Sequence, residues 1–351
     1  MESKNDVRAI ACGKTVVLEY GMKKRLHVLL LFCGCVAAAF FMGCSISFHP
    51  KTSLAAAEAT PEPTSTQTPA PTATPVPTPF SIVWLSDTQS ITYYNYPHAM
   101  EDMGRWIAEQ RVPENILYVV QTGDMVDNGF VPKQWDIFDE CYNQFKDDIP
   151  YFAIAGNHDI GVKLQDYSAY LARPNVSSIP RRNSFERGRA VYATFEAGGT
   201  KFLLLGAGWE SEEMSVDWMN QVLKEHSDSV AILLFHSYIF MDGSYTNQGQ
   251  MMFEQVVVPN PNVRLVLCGH VSVSGARFEE LDDNGDGVND RKVTAMLYNY
   301  QDFMDNCGQL RLLTFDPVSR SIDVMTYSPY TGRYFWDDYF KTVEFTLEDA
   351  F

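Results

Sequence analysis

Five residues of metal-ligating type stand out by where they fall in the 351-residue chain. Asp87 follows the apolar run SIVWLS, Asp124 follows NILYVVQ, and Asn157 follows PYFAIA. His236 closes SVAILLFH, and His270 closes VRLVLCGH. Taken singly, an Asp after a strand is commonly a helix cap or turn former. A lone His there is usually structural. Five such residues at the ends of five separate runs are harder to assign that way. In open α/β sheets, ligands gather at the C-terminal ends of the strands. Carboxylate, carboxamide and imidazole together suit Fe, Mn, Zn or similar ions.

The runs that would position these residues alternate with helical stretches. Strands are expected at 81–86, 115–121, 150–155, 190–198, 201–207, 229–236 and 263–270. Helices are expected near 97–110, 132–145, 216–226 and 248–258. The tail differs. RFEEL, KVTAMLYNY, QLRLLTFD and IDVMTYS read as an antiparallel meander. Short strands alternating with helices and ending in a β-rich tail point to an α/β layered sandwich, not an all-parallel sheet.

The same residues resemble the motifs of the calcineurin-like metallophosphoesterases. The blocks stand as Asp87-Thr88-Gln89, Gly123-Asp124-Met125-Val126-Asp127, Gly156-Asn157-His158-Asp159, His236 and Gly269-His270-Val271-Ser272. Order and spacing fit over roughly 80–275, and the first block Ser-Asp-Thr-Gln marks a branch of the family. The resemblance implies a four-layer α-β-β-α sandwich and two divalent metal ions, drawn from Mn, Fe, Zn or Mg. Asp124 would bridge them. Asn157, His236 and His270 would complete the second ion, while Asp87 and Gln89 would serve the first. Gln89 and Ser272 stand where the family carries His, so the first ion should be harder and more weakly held.

The implied activity is hydrolysis of phosphate mono- or diesters by a metal-activated water, with no protein nucleophile. His158 would stabilise developing charge or protonate the leaving group. Asp159 or Asp127 would orient it or support the site from behind the ligands. The alternative is a degenerate member that binds a phosphorylated or cell-wall ligand without turnover, an option that Gln89 and Ser272 keep open.

The N-terminal part reads as an address. Lys23 to Arg25 precede an apolar run from about Leu26 to Met42, which ends at Gly43-Cys44. This is a signal sequence followed by a bacterial lipoprotein-like Cys, with an uncleaved membrane helix as the alternative. Either way the body is expected outside the cytoplasm, anchored to the bacterial cell membrane by lipid or helix. Met22 is an alternative start. Residues 1–44 form the extension and signal, 45–80 a Pro/Thr-rich linker with PEPTSTQTPAPTATPVPTP, and 81–351 the metallophosphoesterase domain.

Net charge is −17, and residues 1–50 contribute +3, so the remainder carries −20. An acidic body argues against a nucleic-acid-binding surface. A phosphate-ester substrate and a monomer are expected. Of seven cysteines, only Cys141, Cys268 and Cys307 lie in the body; they read as buried thiols, with one disulfide left open. Asp282, Asn284, Asp286 and Asp290 follow the spacing of a Ca²⁺ loop, but Val293 stands where Glu is expected. A polar hairpin loop fits equally well. Tyr93, Tyr94 and Tyr96 read as packing residues, with a substrate mouth as the alternative.

Overall fold

The computed structural model describes residues 77–177, 179–301 and 307–351. The residues read above as a signal sequence, and most of those read as a linker, lie outside these. Among the described residues, no helix is long and apolar enough to cross a membrane.

The first half of the domain comprises β1 (Phe80–Leu85), α1 (Gln89–Tyr94), α2 (Pro97–Gln110), β2 (Ile116–Gln121), α3 (Pro132–Phe145), β3 (Tyr151–Ala153), α4 (Ser168–Leu171), α5 (Pro174–Ser177), β4 (Ser184–Phe185), β5 (Ala190–Ala197) and β6 (Thr200–Ala207). The second half comprises α6 (Glu212–Glu225), β7 (Val230–Phe235), α7 (Asn247–Met252), β8 (Val263–Cys268), β9 (Val273–Leu281), β10 (Arg291–Asn299), β11 (Leu310–Asp316), β12 (Ser321–Ser328), β13 (Arg333–Tyr334) and β14 (Glu344–Leu347).

These strands make two seven-stranded sheets. One runs β13-β12-β11-β1-β2-β3, with β14 also paired to β12; the other runs β4-β5-β6-β7-β8-β10-β9. Alternation along each strand shows how the sheets stack. Phe80, Ile82 and Trp84 of β1 enter the same core as Phe202 and Leu204 of β6 and Ile232 and Leu234 of β7. Val83 and Leu85 face the other way, onto Met100, Met103 and Ile107 of α2 and Trp135 and Phe138 of α3. Leu203, Leu205, Leu233 and Phe235 likewise pack on Met219, Val222 and Leu223 of α6. Each sheet is therefore apolar on both faces, with helices outside and a shared core between. This is the expected four-layer α-β-β-α order. Aromatic rings fill the middle: Phe80 stacks on Phe315 at 4.9 Å and meets Phe202 edge-on at 5.4 Å.

The tail is not one meander. β9 and β10 pair as a hairpin, and β10 also lies parallel to β8 in the second sheet. β11 crosses to the first sheet and pairs antiparallel with β1, followed by β12. Burial gives the reason. β10 is covered on both faces, as an interior strand must be, whereas the distal part of β9 alternates between exposed and half-buried residues. Cys141, Cys268 and Cys307 are free, buried thiols. Tyr93, Tyr94 and Tyr96 are 60%, 58% and 40% exposed, so they are not packing residues.

Candidate metal centre

β1, β2 and β3 run parallel in one sheet, and β6, β7 and β8 run parallel in the other. Their C-terminal ends carry the loops that hold Asp87, Asp124, Asn157, His236 and His270. At these loops the backbone turns sharply. Asp87, Asp124 and His270 have φ of 47°, 51° and 68°, a left-handed conformation costly for side chains other than Gly. Gly123 has φ 99°, and a Cβ there would lie 2.7 Å from the His236 Nδ1. A Cβ on Gly156 would meet the Asp124 carboxylate. Only glycine lets the two loops approach so closely.

Among the described residues, Asp124, His236 and His270 bring ligand atoms within 4.8 Å of one another. His236 is fully buried. Its Nδ1–H donates to the Thr122 carbonyl at 2.8 Å. That fixes the tautomer and leaves Nε2 facing Asp124 Oδ2 at 3.2 Å and Asn157 Oδ1 at 3.0 Å. The Nδ1 of His270 lies 3.2 Å from the same Nε2. Side chains from four separate loops thus converge on one point.

The electrostatics match a cation site. Burial alone would lift the Asp124 carboxyl, but the His236 charge and hydrogen bond, with His158 beside it, hold it below its ordinary range. Burial would depress His236, yet Asp124 and Asp87 draw it up to about 10. Burial and the neighbouring His236 press His270 down to about 4. Without an ion, the His236 proton is the positive charge beside the Asp124 carboxylate. A divalent ion would displace it.

Asp87 and Gln89 approach from the other side. Asp87 accepts the Ser86 hydroxyl and the His270 backbone N–H, the latter at 3.1 and 3.2 Å to its two oxygens. Burial lifts its carboxyl to about 7. Gln89 donates its amide to Asp124 Oδ2 at 3.2 Å. Its own carbonyl oxygen is buried without a partner among the described residues, at a residue 3% exposed. An orphaned acceptor costs about 1–3 kcal/mol unless something electropositive meets it. The donor set therefore fits a cation on this side too, held by oxygens. Ser272 is half-buried in the turn after His270.

His158 is aimed by Asp127. Its Nδ1 lies 2.8 Å from the Asp127 carbonyl and 3.3 Å from the carboxylate. Its backbone N–H donates to Asp124 Oδ1 at 2.9 Å. Of the two roles expected for Asp159, its hydrogen bonds fit support from behind the ligands and not the orienting of His158. It is fully buried and accepts the N–H groups of Val126 at 3.1 Å and Gly156 at 2.8 Å. Its carboxyl, lifted to about 8 by burial and by Asp124, staples two loops together.

Three supports were missed in the sequence. Thr122 holds His236 through its carbonyl and receives the Trp84 indole N–H on its hydroxyl at 3.1 Å. That hydroxyl donates to Ser86 at 2.8 Å, which in turn binds Asp87. Trp209 lies against the His270 ring at 4.8 Å and edge-on to His236 at 5.7 Å. The polar position just after each apolar run was a readable signal for Ser86 and Thr122. Trp209 offered none. The Asp282–Asp290 loop folds as a polar hairpin turn. Asp282 accepts the N–H groups of Gly285, Asp286 and Gly287, and Asp290 those of Asp283 and Asn284.

The comparisons agree with this geometry. Residues 80–274 match the family model of the calcineurin-like phosphoesterases. The chain is 38% identical over 279 residues to the uncharacterized protein YvnB of Bacillus subtilis, covering 76% of this chain and 21% of that one. It is 29% identical over 165 residues to a probable cyclic nucleotide phosphodiesterase of Moraxella catarrhalis, covering 43% of this chain and 56% of the relative. The chain thus spans less than two thirds of these relatives. A purple acid phosphatase from yellow lupin seeds shares the fold, with TM-score 0.53 at 13% identity, covering 78% of this chain and 54% of that one. With the motif blocks in register over more than half of its length and their side chains gathered at the C-terminal strand ends of both sheets, the chain belongs to the calcineurin-like phosphoesterase family.

Proposed function

We propose that the protein hydrolyses phosphate esters with divalent metal ions, on the outer side of a bacterial membrane to which its N-terminal segment anchors it. The observation that carries the hydrolytic reading is the convergence of Asp124, Asn157, His236 and His270, with the unpartnered Gln89 oxygen opposite. Bound divalent ions would polarise the phosphoryl group and make a water acidic enough to attack near neutral pH. Asp124, Asn157, His236 and His270 would hold one ion; Asp87, Gln89 and Asp124 would hold a harder one such as Mn²⁺ or Mg²⁺. His158, with Nδ1 tied to the Asp127 carbonyl, has Nε2 free to stabilise charge on the phosphoryl group or to protonate the leaving oxygen. The name of the Moraxella relative makes cyclic nucleotides one diester class to test.

The test is turnover of p-nitrophenyl phosphate, bis(p-nitrophenyl) phosphate and cyclic nucleotides by protein loaded with Mn²⁺, Zn²⁺ or Fe²⁺. Failure on all of them removes the hydrolase. Gln89 and Ser272 favour a second reading, a ligand-binding member without turnover. Mass spectrometry under native conditions separates the two, since that reading expects no bound ion. Cell fractionation tests the anchor: the protein should sediment with membranes and remain open to added protease on intact, wall-stripped cells.

A further inference from the structure

The body is acidic, yet residues 173–189 hold Arg173, Arg181, Arg182, Arg187 and Arg189 against the single acid Glu186. Two of these arginines are committed. Arg173 pairs with Asp139, and Arg189 pairs with Glu186 at 3.7 Å while lying 4.6 Å over the Tyr167 ring. Arg181, Arg182 and Arg187 are exposed and enter no ion pair among the described residues. Three unpaired cations in a body of charge −20 are a local reversal of sign.

Strand register places them. Phe185 pairs with Ala190, Ala190 with Ala207, Ala207 with Phe235, and Phe235 with Cys268. One row across the second sheet thus ends in the β4–β5 turn on one side and in His236 and Gly269-His270 on the other. Neighbouring strands are about 4.8 Å apart, so the turn bearing Arg187 stands ~10–14 Å from the His236 strand, on the same edge. Arg187, at φ 68°, is at the tip. Arg181 and Arg182 precede β4 in a short 3₁₀ turn, Arg181–Asn183, on the same arm. The arm is tied to the site: Arg189 covers Tyr167, whose hydroxyl donates to the Trp209 carbonyl at 2.5 Å, and Trp209 lies on His270.

We propose that the β4–β5 arm is an extended anion-binding subsite that selects a phosphate ester carrying further phosphates along a chain, a polyol-phosphate oligomer. The inference rests on the hydrolytic reading above for the position of the scissile ester. Screening decides against a small ester. Salt screens charge over about 8 Å at physiological ionic strength, so a phosphate held at His270 gains little from Arg187. A chain long enough to reach both gains a direct contact at each arginine. Composition decides against a nucleic acid. Single-strand binders pair a basic groove with exposed aromatic platforms. No large apolar side chain between 173 and 189 is exposed among the described residues.

The test is fluorescence anisotropy of a labelled oligo(glycerol phosphate) of about ten units on the full chain in neutral detergent, wild type against Arg181→Glu/Arg187→Glu. The variant is expected to bind at least about tenfold more weakly, with the slope of log affinity against log salt reduced by about two. Its kcat/KM on bis(p-nitrophenyl) phosphate should equal that of the wild type. Equal binding by both proteins overturns the subsite. So does tighter binding of an oligothymidylate of equal charge, or capture on phosphatidylglycerol vesicles without binding of the soluble oligomer. Because binding is read directly, loss of the hydrolytic reading would show in turnover and leave this result separate.

Discussion

The two halves of the metal centre are built differently. The half around His236 and His270 uses nitrogen donors, and neighbours outside the donor set fix both rings. The Thr122 carbonyl holds His236, and the Trp209 face lies on His270. The half around Asp87 and Gln89 offers only oxygens. Both of its side chains are already engaged, Asp87 by Ser86 and the His270 N–H, Gln89 by Asp124. A rigid nitrogen site holds borderline ions tightly, while an oxygen site of shared donors holds harder ions loosely. The difference predicts that an ion in the nitrogen half would be held by the fold, whereas one in the oxygen half would exchange with solution.

The largest test is Asp124→Ala, which removes the carboxylate common to both halves. Turnover should fall by at least about a thousandfold, with both ions lost in metal analysis. Retention of one ion in the His236 half with unchanged affinity would show that Asp124 bridges nothing. A second test reaches the foundation of the nitrogen half. Glu212, the first residue of α6, is fully buried, with one carboxylate oxygen unpartnered among the described residues and the other accepting the Ser211 N–H at 3.0 Å. Ser211 in turn donates to Tyr167, which holds Trp209. Burial lifts the Glu212 carboxyl from 4.5 to about 8. Above 4.5 the unfolded chain has released this proton and the folded one has not. Stability contributed here therefore falls as pH rises from about 4.5 toward 8. Glu212→Gln carries no such proton and should gain about 2–4 kcal/mol over wild type at pH 8, shrinking to nothing near pH 4.5. Urea unfolding at both pH values checks it; a pH-independent gap removes Glu212 as the titrating support.

Trp209→Ala asks whether His270 depends on the indole. His270 has no carbonyl partner, among the described residues, of the kind Thr122 gives His236, so its ring orientation rests on Trp209. Loss of an orienting partner costs metal ligands about 10–100-fold in affinity. Mn²⁺ titration should show that loss for the nitrogen-side ion, with Trp209→Phe recovering most of it. Unchanged affinity in the Ala variant would mean that backbone geometry alone aims His270.

Much of this was legible in the sequence where one residue type decided the outcome. α2 and α3 run Pro97–Gln110 and Pro132–Phe145, as expected, because Pro at the first turn marks a helix start. The five candidate ligand positions were legible because strands end where apolar runs end. The tail was misread because alternation gives a strand its faces but not its sheet, and β10 and β11 differ in partner more than in pattern. α1, of six residues, is too short to show a period. Trp209 was invisible because its contacts are set by a loop between β6 and α6. Which of Asp159 and Asp127 faces His158 was not legible, because adjacency in the chain does not bring side chains together: Asp159 turns to the Val126 and Gly156 amides, His158 to Asp127.

The finest test converts one half into the other. Gln89→His would place a nitrogen where the buried carboxamide oxygen has no partner among the described residues. If the oxygen half is loose because it lacks nitrogen, the variant should bind its weaker ion about tenfold more tightly, near 1.4 kcal/mol. The ion preferred there should shift from Mn²⁺ or Mg²⁺ toward Zn²⁺. Native mass spectrometry at limiting Zn²⁺ reads both effects as a rise toward two ions per chain, without reference to turnover. The buried position limits the gain, because an imidazole there gives up the amide donation to Asp124 at 3.2 Å. The nitrogen half provides the control: Gln89→His should leave its affinity unchanged. A variant that still binds one ion, or that binds the second no better than wild type, would mean that Asp87's prior engagement by Ser86 and His270, not the identity of residue 89, keeps that half weak.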